Sequence, residues 1–196
     1  FLCVARERGW QAMGLEVSPA AAQEAAATSG VAVLQGELSR SLPAGVPPFD
    51  VLTMWDVVEH LSDPVGSLSH AHAWLRPGGM LVIQTQNANS VDSAWMRHRW
   101  EQFVEPHLYH FSPRTLRLAL EKAGFDQIRI EASDSFPSSD PITHQAPIPR
   151  STACRKSLGD CLRHIRDLLF MGLGYDLFTL MVAIARSPAG RGRPTA

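Results

Sequence analysis

The side chain with the clearest chemical use near the start of the chain is Glu16, in the short predicted strand 11–17 (QAMGLEV). Ser18-Pro19 follows at once and predicts the start of a helix, with proline in the first turn. An acidic side chain at the end of such a strand can accept hydrogen bonds from both ribose hydroxyls of a nucleoside cofactor. Glu16 is therefore a candidate cofactor ligand, and a solvated glutamate with no further role is the alternative.

Two histidines in the run EPHLYHF, His107 and His110, are candidates for proton transfer. Imidazole has the side-chain pKa nearest pH 7, so it suits the removal of a proton from a hydroxyl group. Both histidines lie among aromatic residues, so simple packing beside Tyr109 and Phe111 is the alternative. We take His107 as the first candidate for a catalytic base and His110 as the second.

A further constellation is Asp56, Glu59 and His60, whose spacing of i, i+3 and i+4 places them on one helical face. Two carboxylates and an imidazole arranged in this way could converge on a divalent metal ion. The alternative, which we favour, is that Glu59 and His60 close the turn after a strand through hydrogen bonds, with no metal bound. His70 and His72 lie two positions apart in a predicted helix, and we expect both to face solvent.

These candidates are positioned by a regular alternation of predicted strands and helices. Predicted helices cover 1–8, 20–29, 64–75 and 113–124, and predicted strands cover 11–17, 31–34, 49–55, 80–85, 127–131 and 177–185. Pro77-Gly78-Gly79 predicts a turn, and the nearly continuous apolar run FDVLTMW predicts a strand buried on both faces. Such alternation is typical of an α/β fold with a sheet built from parallel βαβ units.

The last third of the chain has a different composition. Residues 133–151 are rich in Ser, Pro and Asp and predict a loop, whereas 155–172 carry a helical stripe of apolar side chains. That stripe consists of Leu158, Cys161, Leu162, Ile165, Leu168 and Leu169. We therefore predict a core over 1–132, a loop and helical insert over 133–174, a final core strand within 175–186, and a disordered tail over 187–196.

Composition limits the classes of partner. The 196 residues carry a formal net charge of −1, so no overall field favours nucleic acid or an anionic membrane. No window approaches the roughly 18 apolar residues that a membrane span needs. The three cysteines, Cys3, Cys154 and Cys161, have no C-x-x-C spacing, which is typical of free thiols in a reducing compartment. We expect a cytoplasmic protein, and its oligomeric state stays open.

Four stretches together resemble the class I S-adenosylmethionine-dependent methyltransferases. FDVLTMWDVVEHLSDP (49–64) and LRPGGMLVIQTQN (75–87) resemble the fourth and fifth strands of that family, and GLEVSP (14–19) also resembles it. EPHLYHFSPRTLRLALEKAGF (105–125) is typical of the branch that includes the ubiquinone-type O-methyltransferases. The resemblance covers roughly 1–131 and returns at the last strand.

The resemblance implies a Rossmann-like sheet, mostly parallel, whose last strand is antiparallel and inserted between the fifth and sixth. It implies S-adenosylmethionine as cofactor and methyl transfer to a small-molecule acceptor, with oxygen as the expected position of methylation. Glu16 would bind the ribose hydroxyls, and Gly36 and Glu37 would lie near the adenine, although the family usually has Asp where this chain has Glu37. Trp55 and Asp56 would line the cofactor and substrate pocket.

The chain also departs from the family. The family's first strand and its acidic Gly-x-Gly-x-Gly loop, which holds the methionine part of the cofactor, have no counterpart in this sequence. We therefore expect an N-terminally truncated sheet without its first strand, and a chain that by itself binds S-adenosylmethionine weakly and transfers no methyl group. Some members of the branch depend on a divalent metal and carry an acid-x-x-Glu-His stretch comparable to the one described above.

Two other classes of function stay open. A degenerate, non-catalytic binding protein would explain the missing glycine loop. A nicotinamide oxidoreductase would share the sheet and Glu16. However, the Tyr-x-x-x-Lys pair of short-chain dehydrogenases is missing, because neither Tyr109 nor Tyr175 has a lysine four residues later.

Overall fold

The structure is a computed structural model that describes residues 1–39, 41–133 and 180–188. The chain divides into two compact units, Phe1–Pro47 and Pro48–Ala196. Among the described residues, no helix has the length and apolar character that crossing a membrane would require.

The first unit is built around one parallel βαβ arrangement. It consists of α1 (Leu2–Glu7), β1 (Gly14–Glu16), α2 (Pro19–Ser29) and β2 (Val33–Gln35), with β1 and β2 paired in parallel. The Ser18 side chain caps α2 by accepting a hydrogen bond from the Ala21 N–H at 3.4 Å. α2 ends at Gly30, whose φ of +62° lies in the left-handed region that glycine adopts without strain. The start of α2 agrees with the predicted start at Ser18-Pro19. Strands β1 and β2 are both shorter than predicted.

The second unit contains a four-stranded mixed sheet. Its elements are β3 (Phe49–Trp55), α3 (Pro64–Trp74), β4 (Leu75–Gln86), α4 (Val91–Met96), α5 (Pro113–Lys122), β5 (Asp126–Ser133) and β6 (Leu180–Arg186), with 3-10 turns at Val58–His60 and Arg97–Arg99. The strand order is β3-β4-β6-β5. β3 pairs with β4 in parallel, and β6 is antiparallel to both β4 and β5. The predicted antiparallel last strand, inserted between the two preceding strands of the sheet, is confirmed.

The core of the second unit lies between the sheet and its helices. Its largest fully buried apolar side chains lie on β4, α3, α5 and β6; they are Leu81, Ile83, Leu68, Leu116, Leu120 and Met181. Burying one such side chain stabilises the fold by roughly 1.5–3 kcal/mol relative to leaving it exposed. The apolar middle of β4 is therefore held firmly, which fixes the position of its polar end.

The burial predicted for β3 is wrong, although its limits, Phe49–Trp55, are those predicted. Only Met54 in this strand is buried, Asp50 is exposed, and the other side chains are half-buried. β3 is the edge strand of the four-stranded sheet and pairs only with β4 there. The apolar composition indicates a strand, but burial depends on what packs against it.

The turn predicted at Pro77-Gly78-Gly79 is a bulge inside one long strand. Phe49 pairs with Leu75, whereas Val51 pairs with Met80, so β4 contains additional residues opposite β3 at this point. Gly78 has a φ of +78°, and a Cβ on Gly79 would lie 2.9 Å from the Arg76 carbonyl oxygen. Only glycine fits both positions, because a side chain would be strained at the first and would collide with backbone at the second.

Most of the predicted insert and tail lies outside the described residues. This applies to the predicted helix 155–172 and to 134–179 and 189–196 as a whole. The structure differs from the predicted disordered tail at Ser187, which is buried. Its N–H donates to the Gly79 carbonyl at 2.8 Å, and its carbonyl accepts from the Gly78 N–H at 3.0 Å. The β4 bulge supplies these partners and extends the ordered chain beyond β6.

His72 in α3, expected to face solvent, is half-buried against Phe125 and Ser187. Its Nε2 lies 3.2 Å from Ser187 Oγ, and its ring meets the Phe125 ring edge-on with centroids 5.1 Å apart. Burial lowers the pKa of His72 below its usual value of 6.5, and Asp126 opposes that shift. The fold therefore favours the neutral imidazole at this position.

This buried imidazole predicts a pH dependence of stability. Because the pKa of His72 is lower in the folded chain, the unfolded chain binds more protons once the pH falls below 6.5. The His72 contribution to the free energy of unfolding should thus be complete above pH 6.5 and decrease as the pH falls towards the folded-state pKa. Urea denaturation between about pH 7.5 and about pH 5 should show a flatter curve for His72→Gln than for wild type.

His70→Gln, in the same helix, is the matched control and should keep the wild-type pH dependence. Equal flattening in the two variants would show that His72 is not the group responsible.

Candidate functional site

Polar side chains cover the ends of two neighbouring parallel strands. Asp56 directly follows β3, and β4 ends in the buried residues Gln84, Thr85 and Gln86. Because β3 and β4 are parallel, these positions meet at the carboxyl edge of the sheet, where open α/β sheets bind ligands. The sequence predictions missed the three β4 residues. A polar run at the end of an apolar strand (MLVIQTQ) is the signal, since buried polar groups need partners.

Glu59, in the 3-10 turn after β3, is completely buried and holds this edge together. Its Oε2 accepts a hydrogen bond from Thr85 Oγ1 at 2.9 Å, and its Oε1 accepts one from Gln86 Nε2 at 2.8 Å. Its backbone carbonyl accepts from the N–H groups of Leu108 and Tyr109, at 2.9 and 3.1 Å. One residue therefore connects the turn, the end of β4 and the segment that carries the candidate histidines.

His60 and His107 lie together, with ring centroids 4.8 Å apart. His60 Nδ1 is 2.8 Å from the Pro106 carbonyl, and His107 Nδ1 is 2.8 Å from the Gln102 carbonyl. A carbonyl oxygen can only accept, so each Nδ1 must carry the proton in these bonds. In the neutral rings the Nε2 atoms then keep their lone pairs, which suits them to accept a proton or to ligate a metal.

His110, the second predicted base, is held differently. Its Nε2 lies 3.1 Å from the Gln102 carbonyl and therefore donates to it. The ring also packs against Phe103 and Trp100, with centroids 4.6 and 5.8 Å away. These contacts correspond to the packing alternative. Of the two candidates, His107 is the one that the structure brings beside Glu59 and His60.

Asp56 combines an unusual backbone with a perturbed carboxyl group. Its φ is +51°, in the left-handed region, and its N–H donates to the Gln84 carbonyl at 3.1 Å. Burial raises the pKa of Asp56 above its usual value of 3.8, and the nearby Glu59 carboxylate raises it further. The Gln84 amide, His107 and His60 act in the opposite direction. Trp55, assigned with Asp56 to the pocket wall, is half-buried at the last ladder position of β3.

The residues assigned to the nucleoside lie in the first unit. Glu16 ends β1, and its carboxylate accepts a hydrogen bond from the Ser18 N–H at 2.9 Å. Its backbone carbonyl accepts from the Gly36 N–H at 2.9 Å, which brings the residue after β2 against the end of β1. Gly36 has a φ of +142°, and a Cβ built there would meet no atom within 4 Å. Glu37 is exposed.

Comparison with protein families identifies the fold that this edge belongs to. A family model described as a methyltransferase domain matches residues 1–130, more than half of the chain. The chain belongs to the class I S-adenosylmethionine-dependent methyltransferase family.

Curated relatives of the chain include ubiquinone biosynthesis O-methyltransferases. The protein of Cereibacter sphaeroides (strain KD131 / KCTC 12085) is 28% identical over 139 residues, which cover 61% of this chain and 53% of that protein. The protein of Ruegeria pomeroyi is 33% identical over 72 residues, which cover 30% of this chain and 29% of that protein. The aligned part of the chain thus spans about half or less of these relatives.

Solved structures support the fold. A SAM-dependent methyltransferase from Thermotoga maritima has a TM-score of 0.61 at 21% identity, covering 93% of this chain and 75% of that one. One from Archaeoglobus fulgidus has a TM-score of 0.61 at 19% identity, covering 95% and 80%. The predicted Rossmann-like methyltransferase sheet is confirmed by these neighbours.

The candidate metal cluster has a different composition in the structure from the one that the sequence spacing suggested. Among the described residues, Glu59, His60 and His107 place ligand atoms within 4.8 Å of one another. His107 thus replaces Asp56 as the third member of the candidate set. One carboxylate and two imidazole Nε2 atoms are a chemically suitable donor set for a divalent ion. Such an ion would supply a Lewis acid beside the acceptor. Both Glu59 oxygens already accept hydrogen bonds, which suits a structural role equally well.

The hydrogen bond from Thr85 to Glu59 gives a prediction about stability. Thr85→Val keeps the side-chain shape but leaves one buried carboxylate oxygen of Glu59 without this donor. The variant should lose about 1–3 kcal/mol of unfolding free energy, measured by urea denaturation. Thr53→Val in β3 is the control, because that half-buried hydroxyl has no hydrogen bond within the described part of the chain. Similar losses in the two variants would mean that the Glu59 contact is not the cause.

Proposed function

We propose that the protein transfers a methyl group from S-adenosylmethionine to a hydroxyl oxygen of a small molecule. The observation that carries this proposal is the cluster of His60 and His107 with the buried Glu59, whose ring nitrogens and carboxylate oxygen lie within 4.8 Å of one another at the carboxyl edge of a methyltransferase sheet. A hydroxyl becomes a better nucleophile when a base removes its proton, and neutral histidine is the side chain suited to this near pH 7.

The cofactor assignment is supported by the end of β1. The Glu16 carboxylate is ordered by the Ser18 N–H and is only partly exposed, so it can accept hydrogen bonds from ribose hydroxyls. The open space next to Gly36 is of the kind that a flat base needs for close approach to backbone. The exposed Glu37 would contact the adenine amino group from the rim. Bound in this way, S-adenosylmethionine supplies an activated methyl group on a sulfonium.

His107 has the clearest role at the reacting oxygen. The Gln102 carbonyl fixes its tautomer, so Nε2 is the atom that takes the hydroxyl proton as the oxygen bonds to the methyl carbon. The carbon–sulfur bond breaks in the same step, and its electron pair stays on sulfur. The Glu59 carboxylate nearby would stabilise the imidazolium that results.

Replacing Glu16 tests the cofactor assignment. In the full-length gene product, Glu16→Ala should weaken S-adenosylmethionine binding by about 1–3 kcal/mol in a calorimetric titration, because a carboxylate that holds two hydroxyls is lost. Glu24→Ala, an exposed glutamate on α2, is the control and should bind as wild type does. Unchanged affinity in Glu16→Ala would remove this residue from the cofactor site.

Replacing His107 tests the chemical step. His107→Ala should lower the rate of S-adenosylhomocysteine formation by about 10²–10⁴-fold while leaving cofactor affinity nearly unchanged. The exposed His98→Ala is the control. A chelator that abolishes the wild-type rate, restored by added Mn²⁺, would instead make His107 a metal ligand. Cofactor binding with no transfer to any hydroxyl compound would favour the non-catalytic binding protein.

A further inference from the structure

The backbone carbonyl of Gln102 accepts hydrogen bonds from both histidines of the run that carries the candidate base. His107 Nδ1 lies 2.8 Å from this oxygen, and His110 Nε2 lies 3.1 Å from it. The N–H of Val104 also donates to it, at 3.0 Å. A carbonyl oxygen has two lone pairs, so these three donors share them. The two imidazole rings are therefore linked through a single backbone atom.

The carbonyl of Gln102 lies in a segment without regular secondary structure. Residues 100–112, which the structure describes in full, form neither helix nor strand. The N–H of Val104 donates to Gln102, and the N–H of His107 donates to the Val104 carbonyl at 3.0 Å, so both bonds close short turns within the segment. Such local turns can move together. The direction of the Gln102 carbonyl, and with it the tautomer of His107, therefore depends on a contact that reaches the core.

His110 makes that contact, because its ring is packed against a residue of the hydrophobic core. The ring lies beside Trp100, which is only 4% exposed, with centroids 5.8 Å apart, and it meets the ring of Phe103 at 4.6 Å. Close packing holds a buried tryptophan in place. The ring N–H of His110 thus connects the Gln102 carbonyl to a fixed point of the core.

The geometry points to His110 as the positioning residue for His107. It holds the Gln102 carbonyl where that oxygen accepts the Nδ1 proton of His107, so His107 Nε2 keeps its lone pair for the hydroxyl proton. The bond from His107 is the shorter of the two, so His110 orients the shared oxygen without displacing His107 from it. This inference rests on the proposed function, because it concerns the same proton transfer.

Two substitutions separate the hydrogen bond of His110 from the packing of its ring. His110→Phe keeps an aromatic ring beside Trp100 and loses the N–H donor. His110→Gln loses the ring but keeps an N–H donor at the same number of bonds from Cα as the Nε2 of histidine. His98→Phe, at an exposed histidine, is the control for a change of histidine to phenylalanine as such.

The tautomer of His107 is the first readout, measured from its imidazole nitrogen chemical shifts in the full-length protein at about pH 8.5, where ordinary histidines are neutral. Wild type, His98→Phe and His110→Gln should all show mainly the Nδ1–H tautomer. His110→Phe should move His107 towards the Nε2–H tautomer. It should also lower the rate of S-adenosylhomocysteine formation by about 3- to 10-fold, the scale of one hydrogen bond, with the KM for S-adenosylmethionine unchanged within about twofold.

An Nδ1–H population in His110→Phe that equals or exceeds that of wild type would overturn the inference, because His110 would then compete for the Gln102 carbonyl rather than orient it. A change in His110→Gln as large as that in His110→Phe would assign the effect to ring packing and would overturn it as well. The tautomer is measured without methyl transfer. A tautomer shift in a protein that transfers no methyl group would therefore refute the proposed function and retain the positioning role of His110.

Discussion

The buried carboxylate of Glu59 is the interaction on which the candidate site depends. A carboxylate is expensive to remove from water unless donors replace the lost hydration, and here Thr85 and Gln86 provide them. The backbone carbonyl of the same residue holds the segment that leads to the candidate histidines. If Glu59 were displaced, the turn after β3, the end of β4 and His107 would no longer share a fixed geometry.

The tight packing of the apolar residues of β4 allows unfavourable local conformations at the carboxyl edge of the sheet. Leu81 and Ile83 of β4 are completely buried, so the position of the polar end of the strand is set by apolar side chains of the core. Asp56 tolerates a left-handed backbone and a raised pKa because the sheet beneath it supplies the stability. Binding sites are commonly such locally unfavourable arrangements on a stable scaffold.

Predictions from local signals agree best with the structure. Asp63-Pro64 and Ser112-Pro113 start helices because their side-chain oxygens and proline geometry satisfy the first turn, independently of the rest of the fold. The predicted burial of β3 is wrong because it depends on neighbouring strands. His72 was misplaced for a related reason: helical spacing defines a face, but not which element covers it.

The sequence by itself determined the family, the alternation of strands and helices, and a short set of chemically capable residues, since each is recorded in residues close together along the chain. The tertiary structure alone decided how those residues combine. It joined His60 to the carbonyl of a residue 46 positions away, placed His107 rather than His110 beside Glu59, and brought Gln86 to the Glu59 carboxylate. Local periodicity carries no information about such contacts, because they form only when distant segments meet at one edge of the sheet.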